Sequence, residues 1–126
     1  MSDEPQTGGA LSWPWPDSLD ALVAAPQYHR VLLENEHVRV LEVRIPPGHT
    51  VPVHTHRWSS IIQTRTTSDH LRRDADGDLL TDSRTANPPR RQSDVRWSPP
   101  MPPHSVENVS PREIHLISVE LKDSGR

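Results

Sequence analysis

The chain has 126 residues, of which 32% are hydrophobic, and this predicts a single domain with a modest core. Its 14 prolines, single tyrosine and lack of phenylalanine favour short strands joined by turns over long helices. The lack of cysteine excludes disulfides and thiolate ligands, and the net charge of -3 argues against a nucleic-acid-binding face. The chain shows neither a run of about 18 apolar residues nor a secretory signal peptide at its acidic start. We therefore expect a cytoplasmic protein with no membrane or nucleic-acid partner.

Residues 1–20 show no hydrophobic period and are expected to form an N-terminal arm, while residues 21–126 form the folded domain. Trp13 and Trp15 lie within this arm, in "WPWP", and two exposed indoles are costly to leave in water. We expect them to dock on the body of the domain or on a neighbouring subunit. Exchange of the arm across a two-fold axis would give a homodimer.

One short helix is predicted where the arm meets the domain. The segment "SLDALVAAP" favours a helix that has Ser18 as its N-cap and ends at Pro26. From His29 onward the pattern changes to strands. The segment "RVLLENEHVRVLEVRIPPG" predicts two strands separated by a turn at "ENE", and "HTVPVHTH" and "WSSIIQTRT" predict the next strand or pair.

The second half of the chain continues the strand pattern. Asp76 and Gly77 form a "DG" pair between two runs, which is a hairpin signal. The segment "PPMPP" predicts a rigid connector between the strands "DVRW" and "HSVEN", and "REIHLISVELK" predicts a long final strand. About eight to ten short strands with Gly and Pro turns predict an all-β fold, a small antiparallel barrel or jelly roll.

Three histidines are candidate metal ligands. His54 and His56 lie one residue apart in a predicted strand, so their side chains point to the same face. His104 follows the proline connector, which fixes its backbone. If both segments line one barrel interior, the three imidazoles can bind a divalent ion and leave positions open for substrate. The alternative is that these histidines pack or form hydrogen bonds, and we favour the metal interpretation because of their spacing.

The spacing around these histidines forms two motifs. In the first, Gly48 is followed by five residues and then by His54 and His56 in a His-x-His pair. In the second, His104 lies five residues after Pro99 and four before Asn108. These motifs, in this order across roughly residues 31–122, resemble those of the cupins, as does the hairpin between them. The resemblance implies a small single-domain cupin with a metal site inside its β-barrel and a tendency to form dimers.

The sequence departs from the cupin motifs at three points. The glutamate ligand of the family would fall at Ser60 or Ile61, neither of which can replace it, and the glycine that closes the first motif is missing. In the second motif Met101 replaces a glycine. The resemblance therefore implies a three-histidine site of His54, His56 and His104. Asn108 is expected to be structural.

Other residues are candidates for a fourth ligand or a catalytic group. Gln63 shares a strand face with Ile61, and His115 alternates with apolar residues on what we expect to be the inner face of the last strand. Gln63 could complete the metal shell, and His115 could act as a ligand or general base. A polar cavity residue and a core histidine are the respective alternatives. The direction of His49 is left open, and His29, His37 and His70 are assigned to structure or surface.

Three functions are compatible with this site. The first is a ferrous three-histidine dioxygenase that acts on a small chelating anion such as a β-diketonate. The second is non-redox isomerase, cyclase, lyase or hydrolytic chemistry with zinc, nickel or manganese as a Lewis acid. The third is a ligand-binding module without catalysis, for which the chain offers no helix-turn-helix output domain. The sequence does not choose the metal, because imidazole suits all of these ions.

Overall fold

The computed structural model describes residues 13–66, 68–85 and 95–122. Within them are one short helix and nine strands. The helix is α1 (Ala21–Ala24), and 3-10 turns occur at Asp17–Leu19 and Ser83–Thr85. The strands are β1 (His29–Glu34), β2 (Val38–Ile45), β3 (Thr50–His56), β4 (Ser60–Thr66), β5 (His70–Asp74), β6 (Leu79–Asp82), β7 (Val95–Ser98), β8 (Met101–Asn108) and β9 (Ile114–Leu121).

The strands form two antiparallel sheets with a cavity between them. The larger sheet has the order β1-β2-β9-β4-β7, and the smaller has the order β3-β8-β5-β6. Strand β2 shows how the sequence produces this arrangement, because Arg39, Leu41, Val43 and Ile45 are buried and alternate with more exposed residues. The prediction of an all-β antiparallel barrel or jelly roll is confirmed.

The N-terminal segment differs from the prediction in its helix cap. The helix begins after Asp20, whose carboxylate accepts a hydrogen bond from the backbone N–H of Leu22 at 3.0 Å, so Asp20 and not Ser18 is the N-cap. Trp13 and Trp15 are half-buried and meet edge to face at 4.8 Å between ring centroids. Residues 1–12 of the expected arm lie outside the described residues.

Two turns were predicted with different success. Gly77 has a φ of 91°, which favours glycine, and it lies in the turn between β5 and β6, so the hairpin is confirmed. The expected connector "PPMPP" is not wholly a connector, because β8 already begins at Met101. Pro102 and Pro103, which lack an N–H, fall in the gap where the pairing of β8 with β3 shifts register.

A small apolar core closes one end of the cavity. Its fully or nearly buried members are Ala25, Val43, Ile45, Val51 and Ile114, with Tyr28, Val106 and Leu116 packed against them. Most of these side chains also line the cavity, so the apolar core forms part of the cavity wall.

In the described part of the chain, no helix has the length and apolar character needed to cross a membrane.

Candidate metal centre

The structure brings His54, His56 and His104 together inside the barrel. His54 on β3 is the direct cross-strand partner of His104 on β8, and their ring centroids are 4.4 Å apart. The ring of His56 lies 5.0 Å from that of His54 and 5.9 Å from that of His104. His54 and His104 are buried, and all three line the same cavity. The sequence prediction that the two motifs converge on one interior therefore agrees with the structure.

A fourth histidine joins them, and the sequence analysis misplaced it. His29, the first residue of β1, had been assigned to structure or surface, but it is 6% exposed and lines the cavity. Its ring centroid lies 5.0 Å from that of His54 and 5.5 Å from that of His56. One potential ligand atom from each of these three residues lies within 4.8 Å of the other two. We call His29, His54, His56 and His104 the histidine cluster.

Hydrogen bonds fix the tautomer of all four rings. In every case Nδ1 contacts an oxygen that only accepts, so Nδ1 carries the proton and the lone pair of Nε2 is left for a metal ion. Ordered partners of this kind are what metal-binding histidines use to hold their orientation. The contacts are His29 to the Ala25 carbonyl (2.9 Å), His54 to the Pro52 carbonyl (2.7 Å), His104 to the Pro102 carbonyl (2.7 Å) and His56 to the Glu120 carboxylate (2.9 Å).

Burial keeps three members of the cluster neutral. It lowers the pKa of His54 to about 2, with further contributions from the nearby His56 and His104 imidazoles. Burial likewise lowers the pKa of His29 to about 4 and that of His104 to about 4, and the nearby His56 and Arg72 side chains lower the pKa of His104 further. Near neutral pH these rings would therefore not have to lose a proton in order to bind a metal ion.

A buried ion-pair network contacts the Nδ1 of His56 and orients its ring. Glu120 is fully buried, and its carboxylate contacts both His56 and Arg39. Arg39 in turn makes two hydrogen bonds of 3.0 Å to the carboxylate of Asp20, the residue that caps α1. Burial alone would raise the pKa of Glu120, but hydrogen bonds from His56 and Arg39 hold it below its usual value. The carboxylate that positions His56 is therefore ionised.

No carboxylate joins the imidazoles in the inner cavity, among the residues that the structure describes. Ser60, one of the two positions where the resemblance would place a glutamate ligand, is buried and lines the cavity, whereas Ile61 points outward and is 40% exposed. A set of three or four neutral imidazoles fits a divalent first-row ion and leaves both positive charges of that ion uncompensated. The missing glutamate was correctly read from the sequence.

Gln63 does not lie near the cluster. It is exposed on the outer face of β4, and the buried residues of that strand are Ser60, Ile62 and Thr64. The expectation that it enters the cavity is wrong, because the strand faces were assigned with an offset of one residue.

His115 was also placed on the wrong face. Its Nε2 contacts the Glu42 carboxylate at 2.9 Å on the outer side of the sheet. The inner face of β9 carries Ile114, Leu116, Ser118 and Glu120. His49, whose direction had been left open, is exposed and contacts the hydroxyl of Tyr28 at 3.1 Å. Neither of the two additional candidates, Gln63 and His115, lies in the cluster, and His49 lies outside it as well.

Asn108 has the structural role that was expected of it. It is fully buried, and its amide donates to the carbonyls of Ile45 (2.9 Å) and Arg112 (2.7 Å). Its backbone carbonyl accepts a hydrogen bond of 3.0 Å from Gly48, which has a φ of 81°. Asn108 thus ties the end of the second motif to the start of the first.

The cavity has the character of a small-molecule site. Its inner part measures about 110 Å³, and the part that shares Arg72, Arg96, Met101 and His104 with it measures about 460 Å³. His70, which had been assigned to structure or surface, also lines the inner part. The remaining wall is largely apolar, as in most sites for organic ligands, and includes Val43, Ile45, Val51, Ile62, Val106 and Leu116.

Comparison with known proteins supports the fold assignment. A cupin domain from Bordetella pertussis Tohama I matches with a TM-score of 0.60 and 25% identity, over 74% of this chain and 90% of that chain. An RmlC-like cupin with a double-stranded β-helix fold from Methanocaldococcus jannaschii matches with a TM-score of 0.53 and 13% identity, over 74% and 77%. The polyketide cyclase RemF from Streptomyces resistomycificus matches with a TM-score of 0.52 and 16% identity, over 78% and 67%.

No family model matches the chain, and no curated protein does. The likeness to known proteins is therefore one of fold. The chain is a cupin by fold, a double-stranded β-helix with a histidine cluster compatible with a divalent metal ion.

Proposed function

We propose that this protein is a metal-dependent enzyme that acts on a small, anionic, chelating organic molecule. The observation that carries the proposal is the histidine cluster, in which four buried or half-buried rings all keep Nε2 available. Four such rings around one cavity are an unfavourable way to build a core, because imidazole is polar and an apolar side chain would fill the same space at a lower desolvation cost.

The charge of the site selects the substrate. When bound, a divalent ion would polarise a coordinated oxygen, and ferrous iron would in addition supply dioxygen chemistry. Because the described wall of the inner cavity offers imidazoles and arginines but no carboxylate, it favours an anion. A β-diketonate or another enolised acid meets both requirements. Apolar side chains such as Val51 and Ile62 would bury its organic part and exclude water.

His29 favours non-redox chemistry over the dioxygenase reaction. Three imidazole ligands would leave more coordination positions open for substrate and dioxygen than four would. The ring of His29 lies 5.0 Å from that of His54 and 5.5 Å from that of His56, against 5.0 Å between those two, so His29 is placed to act as a further ligand. We therefore place Lewis-acid isomerisation, cyclisation or lyase chemistry first. RemF, a polyketide cyclase, has a similar fold, and cyclisation is among these reactions.

The ferrous dioxygenase is the second candidate. It is favoured by the motif pattern of His54, His56 and His104, which resembles that of cupins with three-histidine iron centres. The ligand-binding module comes third, since a binding role alone does not require four oriented imidazoles.

A comparison of two metal-loaded forms decides among these candidates. Zinc-loaded and ferrous protein would each be given a panel of 1,3-dicarbonyls, flavonols and thiols, with oxygen uptake and product formation followed separately. Product from the zinc form without oxygen supports the first candidate, and stoichiometric oxygen uptake by the ferrous form alone supports the second. If neither form turns over any compound, and His54→Ala retains full affinity for those that bind, the enzyme proposal is overturned in favour of the binding module.

A further inference from the structure

Two arginines, which stay positively charged at all ordinary pH values, line the cavity beside the histidine cluster. Arg72 and Arg96 line both the inner and the outer part of the cavity. Among the described residues, the inner part is lined by no acid, and the outer part is lined by one, Asp74. The carboxylate of Asp74 accepts hydrogen bonds from the backbone N–H groups of Asp76 (2.9 Å) and Asp78 (3.0 Å), so it is engaged in the hairpin turn.

Arg72 reaches the cavity from the smaller sheet. On β5 it lies opposite Val106 of β8, two residues from His104 on the same strand. Diagonal neighbours of this kind are about 7–8 Å apart, within reach of a long side chain. Its neighbour Arg73 points the other way and pairs with Glu107 at 3.0 Å. The inward direction of Arg72 and the outward direction of Arg73 follow from the alternation of side chains along the strand.

Arg96 reaches the same cavity from the larger sheet. On β7 it lies opposite Ile62 of β4, and its Nη1 donates to the hydroxyl of Thr64 at 3.2 Å. Both Ile62 and Thr64 are buried, so this contact holds the guanidinium toward the interior. The two arginines therefore come from opposite sheets and line one space beside His104.

From this arrangement we propose that Arg72 and Arg96 form an anion subsite for a carboxylate at the end of the substrate opposite its metal-chelating group. The proposed substrate is then a molecule with an apolar middle part. One end carries a keto or enol group that chelates the metal ion, and the other end carries a separate carboxylate. Guanidinium groups suit this role because they keep their charge and bind carboxylates with two parallel hydrogen bonds. The inference rests on the proposed function for the chelating end, whereas the subsite itself rests on the two arginines.

The test uses a pair of probes that differ only in the charge of the remote end. Zinc-loaded protein is titrated by calorimetry with 4,6-dioxoheptanoate and with its methyl ester. We expect the acid to bind about tenfold or more tightly than the ester. Arg72→Gln and Arg96→Gln should each remove most of this preference while leaving the affinity for the ester within about twofold. Arg72→Lys, which keeps the charge, should retain part of it, and Arg73→Gln should retain all of it.

Equal affinity for acid and ester in the wild type would overturn the subsite, as would a preference that survives in both Arg→Gln variants. Failure of both probes to bind zinc-loaded protein would overturn the substrate class. Zinc content is measured on every sample, so that a loss of bound zinc is distinguished from a loss of probe binding at the arginines. If the chain bound no zinc, the proposed function would fail, and an acid preference in metal-free protein would still support the subsite.

Discussion

Glu120 and His56 are joined by a hydrogen bond of 2.9 Å between a fully buried carboxylate and the Nδ1 of a cavity imidazole. The same carboxylate contacts Arg39, which is held by Asp20 at the start of α1. The orientation of a candidate ligand is therefore coupled to the docking of the N-terminal helix. Partners of this kind raise the basicity of a ligating imidazole and fix its ring.

Removal of this carboxylate should weaken metal binding without removing a ligand. Glu120→Gln keeps the shape of the side chain but loses its charge, and we expect metal affinity to fall about 10- to 100-fold. Competition with a chromophoric chelator measures the change. Glu113→Gln, which alters an exposed ion pair with Arg44, is the matched control. Unchanged affinity in Glu120→Gln would show that the carboxylate serves only the ion pair with Arg39.

His29→Ala tests whether the fourth imidazole is a ligand. If it coordinates, the variant should still bind one metal ion, but with an affinity lowered about 10- to 100-fold, the usual cost of disturbing such a site. An open position should also appear, detectable as a changed visible spectrum of the cobalt-loaded protein. His37→Ala, at an exposed histidine, is the control. A cobalt spectrum identical to the wild type would place His29 outside the metal shell.

Acid should destabilise the metal-free protein through the histidine cluster. The pKa values of His29, His54 and His104 in the folded state are about 4, 2 and 4, against 6.5 in the unfolded chain. Between pH 6.5 and 4.5 the unfolded state therefore binds more protons, and the free energy of unfolding falls as the pH is lowered. Each buried histidine contributes up to roughly 1.4 kcal/mol per pH unit in this window.

Urea unfolding at a series of pH values measures this loss. The ionised carboxylates with lowered pKa values, Asp20, Glu42 and Glu120, lose their stabilising contribution only when protonated, below their usual values of 3.8 to 4.5. Because the unfolded chain begins to protonate its carboxylates about one pH unit above these values, the part of the window above about pH 5.5 isolates the histidines. His104→Gln should flatten the pH profile, and His37→Ala should not. A wild-type stability that is constant from pH 6.5 to 4.5 would show that the rings are not held neutral.

An apolar row crosses the outer face of the larger sheet, and we propose that it forms the interface of a homodimer. Cross-strand pairing places five apolar residues side by side over all five strands, and three of them are 40% to 59% exposed. The row consists of Leu33, Val40, Val119, Ile61 and Trp97. Burial of such a row against a second copy of the same sheet would remove it from water.

Ile61→Lys should convert the predicted dimer to a monomer, because it places a charge inside the row, between Val119 and Trp97. Light scattering coupled to size exclusion gives the mass, and Val23→Lys, on the exposed side of α1, is the control. A deletion of residues 1–17 tests exchange of the N-terminal arm in the same assay. A dimer that survives Ile61→Lys but not the deletion would favour the arm, and a monomeric wild type would exclude both arrangements.

The sequence predicted what depends on local spacing. The His-x-His pair projects to one side because a strand has a period of two residues, and the proline-framed His104 completes the motif pattern. The missing glutamate ligand at Ser60 or Ile61 could also be read directly. These features needed no knowledge of how the sheets pack.

The rest of the site depended on information that the sequence does not carry. His115 and Gln63 were assigned to the wrong face, because an error of one residue exchanges the two faces of a strand and no turn fixed the register. His29 belongs to no motif, and it reaches the cluster only because one sheet packs on the other. Arg72 and Arg73 are indistinguishable in sequence, yet one lines the cavity and the other pairs with Glu107 outside it.

The most direct test of the central claim is elemental analysis of the purified protein beside His54→Ala, His104→Ala and His49→Ala. The structure predicts about one divalent transition-metal ion per chain. This ion should be lost in the first two variants and retained in the third, whose histidine is exposed and contacts Tyr28. A wild-type protein that holds no metal even after reloading with iron, zinc, nickel and manganese would contradict the account, and the cluster would then be purely structural.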